Sequence, residues 1–247
     1  MEAAKACGMR DEELSKPCRL NVLATLVTMT NRLPGFFWRR RMKDVKQPRA
    51  LATREKITRA AARLFALKGY HDTTLEEVRR AAEVTTGAFF HHFTSKEDLG
   101  FAVLDRHMEM RRQELDQLEQ DMPSPHLDDP LERVFRRLDA IAQMVARRRK
   151  GGCIIGNLST ALADTHEPFR RRLADCFDEM AREFLPHLEA AAQRCRSRRP
   201  PDAWTLARYV VTVVEGAIML ARTHRDRTLL ARHFDCLKEH LTKNLGS

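Results

Sequence analysis

Two threonines, a glycine and a histidine lie close together in the segment 85–91, and their side chains suit contact with DNA. Thr85, Thr86 and Gly87 would open a short helix, with Phe90 and His91 further along it. Threonine hydroxyls can hydrogen-bond to phosphates or base edges, and the threonine methyl group suits the methyl group of thymine. Glycine allows close approach, and a recognition helix contacts bases through residues near its N-terminal end. We therefore interpret this segment as a candidate reader of the DNA major groove.

Capping residues mark the starts of the helices that would position this segment. Hydrophobic spacing predicts a first helix from about Thr53, which a glycine ends. Thr74 and Glu77 form a capping box for a second helix, Thr85 can cap the third, and Ser95 begins a fourth. The third helix is too short to be stable alone, so its neighbours must hold it.

The rest of the chain also has helical periodicity. Further helices are predicted at roughly 129–149, 153–163, 167–195, 202–223 and 227–244. Aromatic residues make up only 6% of the chain, and a composition rich in alanine, leucine, arginine and glutamate favours helices over sheets. The sequence therefore predicts an all-α protein with a small N-terminal head and a larger C-terminal helical bundle.

Residues 1–48 differ in character from the rest of the chain. They hold Pro34-Gly35 and the basic run Arg39–Arg41, without a sustained helical period. We expect this segment to be disordered or a non-native extension, with Met42 as the natural start. The alternative is a native basic arm that adds phosphate contacts.

Charge and cysteine content limit the classes of function. The net charge of +10 favours binding to polyanions, although a basic surface can also serve solubility alone. The six cysteines include no Cys-x-x-Cys pair, so we expect no zinc site. Scattered cysteines fit a reducing cytoplasm. We also expect no transmembrane span, since polar residues and Pro34 interrupt the apolar stretch 20–38.

The segment 53–103 closely resembles the N-terminal domain of TetR-family transcriptional regulators. Its most specific part reads TTGAFFHHFTSKEDL at residues 85–99, with the glycine and the paired histidines. The resemblance implies an all-α homodimer with a three-helix, helix-turn-helix DNA-binding head at 49–98. It implies a body at 99–247 that dimerises and binds a small-molecule effector. It also implies that Thr74 and Lys96 contact phosphate beside the segment 85–91.

Three positions depart from the pattern of that family. The family often has lysine at the position of Thr86 and tyrosine at the position of Phe90, and both of those residues contact the DNA backbone. It usually has glycine at the position of Glu83, because the turn there favours a left-handed backbone. Glu83 would add strain and a negative charge near DNA. These departures predict weaker or arm-assisted DNA binding.

The last two predicted helices have wide apolar stripes. Two such helices from each subunit would form a four-helix dimer seam, as the resemblance implies. Dimerisation is also mechanically required, because two recognition helices must reach successive major-groove faces about one turn apart.

A second motif lies in the body. The segment Gly152–Leu158 reads GCIIGNL and resembles a motif of some TetR-family bodies, among them the electrophile-responsive repressor of N-ethylmaleimide reductase. Cys153 would lie at a helix N-terminus, just after the basic run 147–150, where backbone dipoles and cations stabilise a thiolate. Oxidation or alkylation of Cys153 would then release DNA. The alternative is a small buried hydrophobe at a tight helix crossing.

A reversible ligand is the other candidate trigger. It would occupy a cavity among the body helices, lined by Met144, Ile154, Asn157, Phe177, Phe184 and Trp204. Plain core packing also explains the apolar members of this set. Asn157 is the better polar candidate, although a helix cap or a satisfied core hydrogen bond would explain it equally well.

Together these features favour a cytoplasmic, sequence-specific DNA-binding regulator, acting as a repressor. Its expected partners are an operator duplex, an effector and a second copy of the chain, without cofactor, metal or membrane. One alternative is a small helical thiol-dependent enzyme that uses Cys153 with His166 or His187, but no motif positions a base or an oxyanion hole. A DNA-independent helical scaffold is a third.

Overall fold

The computed structural model describes residues 48–122, 128–147, 152–195 and 201–245. Within these ranges the chain forms helices and no strand, which confirms the all-α prediction. The helices are α1 (Pro48–Lys68), α2 (Leu75–Ala81), α3 (Thr86–His92), α4 (Lys96–Asp121), α5 (Pro130–Arg147), α6 (Ile154–Leu162), α7 (Glu167–Arg182), α8 (Leu185–Arg194), α9 (Ala203–His224) and α10 (Thr228–Leu245). We call α1–α3 the head and α4–α10 the body. The predicted N-terminal extension and its start at Met42 lie outside the described residues.

The predicted capping residues begin the short helices of the head. Thr74 Oγ1 accepts a hydrogen bond from the Glu77 backbone N–H at 3.2 Å, and the Glu77 carboxylate accepts one from the Thr74 N–H at 2.9 Å. Thr85 Oγ1 accepts from the Ala88 N–H at 3.2 Å, and Ser95 caps α4 in the same way. These bonds satisfy N–H groups that a first helical turn leaves unpaired.

The turn between α2 and α3 closes with a left-handed residue. Glu83 has a φ of 48°, and the N–H groups of Glu83 and Val84 donate to the carbonyl oxygens of Arg80 and Arg79 at 3.0 and 3.2 Å. This is a Schellman motif, in which glycine is favoured because a Cβ is crowded at positive φ. The predicted left-handed backbone at Glu83 is therefore confirmed. Its carboxylate forms an exposed ion pair with Lys56 at 2.8 Å.

One predicted helix is in fact two. The prediction of a single helix over 167–195 is wrong, because α7 ends at Arg182 and α8 begins at Leu185. Pro186 lies in the first turn of α8. Proline lacks an N–H, and its ring would clash with the carbonyl group of Arg182 in a continuous helix. The chain therefore restarts, with the Phe184 side chain buried at the break.

Helix α4 extends from the edge of the head into the body, where a buried ion-pair network fixes it. Arg111 is only 3% exposed and donates to Glu183 Oε1 at 2.6 Å. Arg137 of α5 lies 3.3 Å from the other oxygen of the same carboxylate. A buried guanidinium requires such partners, since an unpaired charge in the core would be strongly destabilising. The network therefore holds α4, α5 and the end of α7 together.

Head and body meet where Phe169 of α7 packs against Tyr70 of the α1–α2 loop. The Phe169 ring is fully buried, stacks on Phe101 at a centroid distance of 4.5 Å and meets Tyr70 edge-on at 5.3 Å. A Cβ on Gly100 would lie 2.5 Å from the Phe169 ring. Gly100 therefore lets the ring approach the α4 backbone, and the contact joins the α1–α2 loop to α4 and α7.

Helix α9 is long and apolar enough to cross a membrane by length and composition alone, with a mean hydropathy of 1.3. By length and composition, therefore, the expectation that no segment of the chain could span a membrane is wrong. Val210 and Val214 lie on a stripe buried in the body, and Met219 and Leu220 add apolar side chains on the outer side. A helix buried in a protein core passes the same test, so the finding is weak evidence for a membrane span.

Replacing Gly100 with alanine should lower the free energy of unfolding by about 1–3 kcal/mol, because the buried Phe169 ring would have to move. Urea denaturation followed by circular dichroism measures this change. The matched control is Gly87→Ala, since Gly87 is also helical and nothing lies within 4 Å of a Cβ built there. The control should be neutral or up to about 1 kcal/mol more stable. Equal effects of the two substitutions would contradict the close approach of Phe169.

Candidate DNA interface and effector cleft

Helix α3 presents its N-terminal end to solvent. Thr85, Thr86, Gly87 and His91 are exposed, and Phe90 is 52% exposed. The space around Gly87 is open. One short helix and its capping residue therefore hold five of the seven residues that the sequence predicts at the DNA interface.

The opposite side of α3 anchors it to the head. Phe89 is 1% exposed and Phe93 is fully buried, with their ring centroids 6.1 Å apart. Arg54 of α1 donates to the carbonyl oxygen of His92 at 2.9 Å, and its guanidinium lies 4.3 Å from the centroid of the Phe93 ring. His92 is partly buried, and burial lowers its pKa. These contacts hold a helix of seven residues that would not persist in isolation.

The other two predicted DNA-binding residues lie at the starts of α2 and α4. Thr74 is exposed and caps α2. The Lys96 ammonium donates to the His71 carbonyl oxygen at 3.1 Å and lies 4.6 Å from the centroid of the Tyr70 ring. Burial lowers the pKa of Lys96. Its charge is therefore held against the α1–α2 loop.

Sequence reasoning missed the polar contacts that join α6 and α7 to the N-terminal part of the molecule. His71 Nε2 lies 3.2 Å from the carbonyl oxygen of Ala161 in α6, a residue 90 positions away. His166 Nδ1 accepts from the Phe169 N–H at 3.4 Å and caps α7, while His166 Nε2 lies 3.8 Å from Glu97 of α4. Contacts at such sequence separations leave no local signal in the chain.

A cleft of about 360 Å³ opens between α6 and α9 in the body. This volume is within the range of small-molecule sites, about 300–1,000 Å³. Its lining includes Cys153, Gly156, Asn157, Phe177, Glu215, Ile218, Met219 and Arg222. Three predicted effector residues, Cys153, Asn157 and Phe177, are therefore brought together.

The thiol of Cys153 is not activated in this arrangement. Burial and the charge of Glu215 raise the pKa of Cys153 to about 12. Hydrogen bonds from the backbone N–H groups of Ile155 and Gly156 at the start of α6 act in the opposite direction but are outweighed. The expectation of a stabilised thiolate is therefore wrong for this structure, because a carboxylate from α9 lies against the thiol. The basic residues 148–150 lie outside the described residues.

Glu215 is the other unusual group of the cleft. Burial raises its pKa, while a hydrogen bond with Cys153 and the charge of Arg111 lower it. Its Oε1 is buried and has no hydrogen-bond partner among the described residues. A Cβ on Gly156 would lie 2.9 Å from Oε2, so the glycine gives the carboxylate room. Glu215 and Cys153 also line a second, inner cavity of about 30 Å³.

Of the predicted effector residues, Asn157 already has a hydrogen-bond partner, and Met144 and Trp204 do not line the cleft. Asn157 Oδ1 accepts a hydrogen bond from Arg222 at 3.1 Å, so its carbonyl is already engaged. Met144 is buried and lines the inner cavity. Trp204 lines neither cavity, because it lies in the first turn of α9, about 16 Å along the helix from Glu215. Arg208 covers the Trp204 ring at 4.8 Å.

In the described part of the chain, no group of three or more His, Cys, Asp and Glu residues is arranged to hold a metal ion.

A capped and exposed recognition helix, joined to a helical body with a cleft, defines a helix-turn-helix transcriptional regulator. The family model described as bacterial regulatory proteins, tetR family, matches residues 57–103. The model of the tetracyclin repressor-like C-terminal domain matches residues 130–237. The chain belongs to the TetR family. It is a transcriptional regulator and not an enzyme, which excludes the alternative that paired Cys153 with His166 or His187.

Individual relatives agree with this assignment. An HTH-type transcriptional regulator from the lacX 3′ region of Lactococcus lactis subsp. lactis is 27% identical over 194 residues, which cover 77% of this chain and 94% of that protein. The HTH-type transcriptional repressor NemR of Escherichia coli K12 is 30% identical over 144 residues, covering 58% and 69%. A TetR transcriptional regulator from Chloroflexus aurantiacus has a crystal structure that superposes with a TM-score of 0.69 at 26% identity, covering 81% and 98%.

Cys153 should react slowly with iodoacetamide at pH 7.5, because the thiolate is the reactive form and the pKa of this thiol is raised. Glu215→Gln removes a negative charge beside the thiol, so the pKa should fall and alkylation should become severalfold faster. Site-resolved mass spectrometry measures the rate at Cys153 against that at the exposed Cys236 of the same molecule.

Glu189→Gln is the control for this measurement, since Glu189 is an exposed carboxylate on α8. It should leave the rate at Cys153 unchanged. Reaction of Cys153 as fast as that of Cys236, or equal rates in both glutamine variants, would contradict the role of Glu215.

Proposed function

We propose that the protein is a cytoplasmic, homodimeric repressor that leaves its operator when a small molecule binds the cleft between α6 and α9. The exposed N-terminal end of α3, held from behind by Phe89 and Phe93, gives this proposal its main support. In a homodimer, two such ends would reach successive major-groove faces. The relative NemR is named as a transcriptional repressor, which favours repression rather than activation for this protein.

The DNA interface would use α3 for base contacts and neighbouring helix starts for phosphates. We assign Thr85, Thr86, Gly87, Phe90 and His91 to the groove, and Thr74 and Lys96 to the backbone. Hydroxyl groups and small side chains can reach base edges directly. A helix start offers free N–H groups to phosphate, and the Lys96 ammonium adds charge beside α4.

We place the DNA-binding domain at 49–98 and the domain for ligand binding and dimerisation at 99–247. The dimer would form through α9 and α10. Tyr209, Met219 and Leu220 are 39%, 63% and 37% exposed on the outer side of α9, and the Tyr209 ring lies 5.4 Å from that of His240 on α10. A contiguous exposed apolar surface is typical of an association surface.

A reversible ligand is the favoured trigger, and modification of Cys153 is the second candidate. The cleft supports a ligand because it has a suitable volume and both polar and apolar walls. The motif Gly152–Leu158 supports an electrophile-responsive subgroup, because it resembles the motif of the electrophile-responsive repressor of N-ethylmaleimide reductase. Cys153 lines the cleft, so an electrophile bound there would meet the thiol. The raised pKa of Cys153 opposes that reaction and makes the reversible ligand the better candidate.

Helix α6 would carry the signal from the cleft to the head. Cys153 lies at the N-cap position of α6, and Ala161 in the last turn of α6 contacts the His71 ring, about 12 Å further along the helix. A ligand that binds better to one position of α6 shifts the population toward that position. The head would follow because His71 lies on the α1–α2 loop, where its carbonyl oxygen accepts a hydrogen bond from Lys96 at the start of α4. Effector and operator would then weaken each other's binding by the same factor.

Gly87→Leu should abolish operator binding while the protein stays folded, because the new side chain would occupy the space that a base edge needs. Duplexes selected from a random-sequence library with the native protein supply the operator, and gel shift measures affinity. Loss of one close contact at each of two half-sites predicts at least about a hundredfold weaker binding.

Ala174→Leu is the matched control, since Ala174 lies on an exposed face of α7 in the body. It should leave the gel shift unchanged. If Gly87→Leu bound the operator with unchanged affinity, α3 would not be part of the DNA interface. Failure to select any sequence would contradict the proposed function itself.

Leu220→Glu should weaken the dimer, because it places an unpaired charge within the apolar surface of α9. Sedimentation equilibrium should show a shift toward monomer, and operator affinity should fall with it. Met110→Glu adds the same charge at an exposed apolar residue of α4 and serves as control. A variant at Leu220 that remains dimeric would place the dimer interface elsewhere.

A further inference from the structure

The carboxylate of Glu215 has an acceptor site that the described protein atoms leave unused. Its Oε1 is buried and receives no hydrogen bond among those atoms, while the Cys153 thiol bonds the same carboxylate. A buried oxygen that lacks a donor raises the free energy of the state that contains it. A donor supplied by a bound molecule would remove that cost.

The two arginines that line the cavities beside Glu215 already donate to other residues. Arg111 donates to Glu183 at 2.6 Å, and Arg222 donates to Asn157 at 3.1 Å. Neither donates to Oε1. His107 and Glu215 both line the inner cavity of about 30 Å³. The cleft, at about 360 Å³, is the larger of these two spaces that Glu215 lines.

The walls of the cleft favour an apolar body next to the charged group of a ligand. Phe177, Ile218 and Met219 supply aromatic and aliphatic surface, and Gly156 leaves the carboxylate uncovered. We propose that the cleft binds a small organic cation, with its ammonium group on the Glu215 carboxylate and its apolar part against Phe177 and Ile218. This inference rests on the proposed function, because it identifies the chemical class of the effector of that cleft.

The overall charge of the protein opposes the binding of a cation. The chain carries a net charge of +10, so long-range electrostatics favour anions over cations. A preference for a cation would therefore have to come from a local group. Glu215 is the carboxylate that lines the cleft.

Three probes of similar shape and different charge test the proposal. Isothermal titration calorimetry of the full-length protein would use phenethylamine, which is cationic at pH 7, with 2-phenylethanol as neutral probe and phenylacetate as anion. Phenethylamine should bind at least about tenfold more tightly than either of the others, as expected for a charge-assisted hydrogen bond.

Two glutamine variants locate the effect. Glu215→Gln should remove the preference for phenethylamine and leave the affinity for 2-phenylethanol within about twofold, which also shows that the cleft remains intact. Glu189→Gln should behave as the unmodified protein. Equal affinities for the three probes, absence of binding by all of them, or an unchanged preference in Glu215→Gln would overturn the proposal.

Gel shift with the selected operator separates this inference from the proposed function. A Glu215-dependent preference for phenethylamine supports the ligand class even if operator binding persists, in which case release by the cleft is contradicted. Sequence-specific binding to DNA without any preference among the probes overturns the ligand class alone.

Discussion

The packing of the Phe169 ring against Gly100 is the contact on which the rest of the structure depends. It lets α7 touch the backbone of α4 and brings the same ring against Tyr70 of the α1–α2 loop. The head is small, and its recognition helix has only seven residues. Its orientation is therefore set by the contact of Phe169 with Tyr70 and by the contact of His71 with Ala161. The interface with DNA is consequently a property of the body as well as of the head.

Local chemistry explains why much of the head could be predicted from the sequence. The caps at Thr74, Thr85 and Ser95 bond to N–H groups three residues away, and the left-handed turn at Glu83 closes within five residues. Such interactions leave a recognisable spacing in the chain. The break between α7 and α8 was missed although its cause is also local. The apolar stripe continues through Pro186 in the sequence, so periodicity alone suggested one helix.

The environment of the cleft could not be predicted because its decisive residue is far away in the chain. The basic run and the helix start argued for a Cys153 thiolate, and the backbone N–H groups do act in that direction. Glu215, 62 positions later, reverses the outcome through burial and charge. Trp204 is a different case, because it lies in the first turn of α9, three turns from Glu215, and the sequence does not show at which end of that helix the cleft forms. The spacing of residues within one helix carries no information about the side chains that a distant helix places beside them.

The departures at Thr86 and Phe90 bear on how easily the protein could switch. A head that lacks a lysine and a tyrosine for the DNA backbone gains less free energy from each half-site. Binding then depends more strongly on two heads acting together, at the separation that the dimer imposes. To release the protein from DNA, an effector must oppose only the free energy by which DNA binding favours the DNA-bound conformation of the protein. In the proposed switch, a cleft ligand would supply this opposing free energy through a charge-assisted hydrogen bond and apolar contact made better in the released conformation.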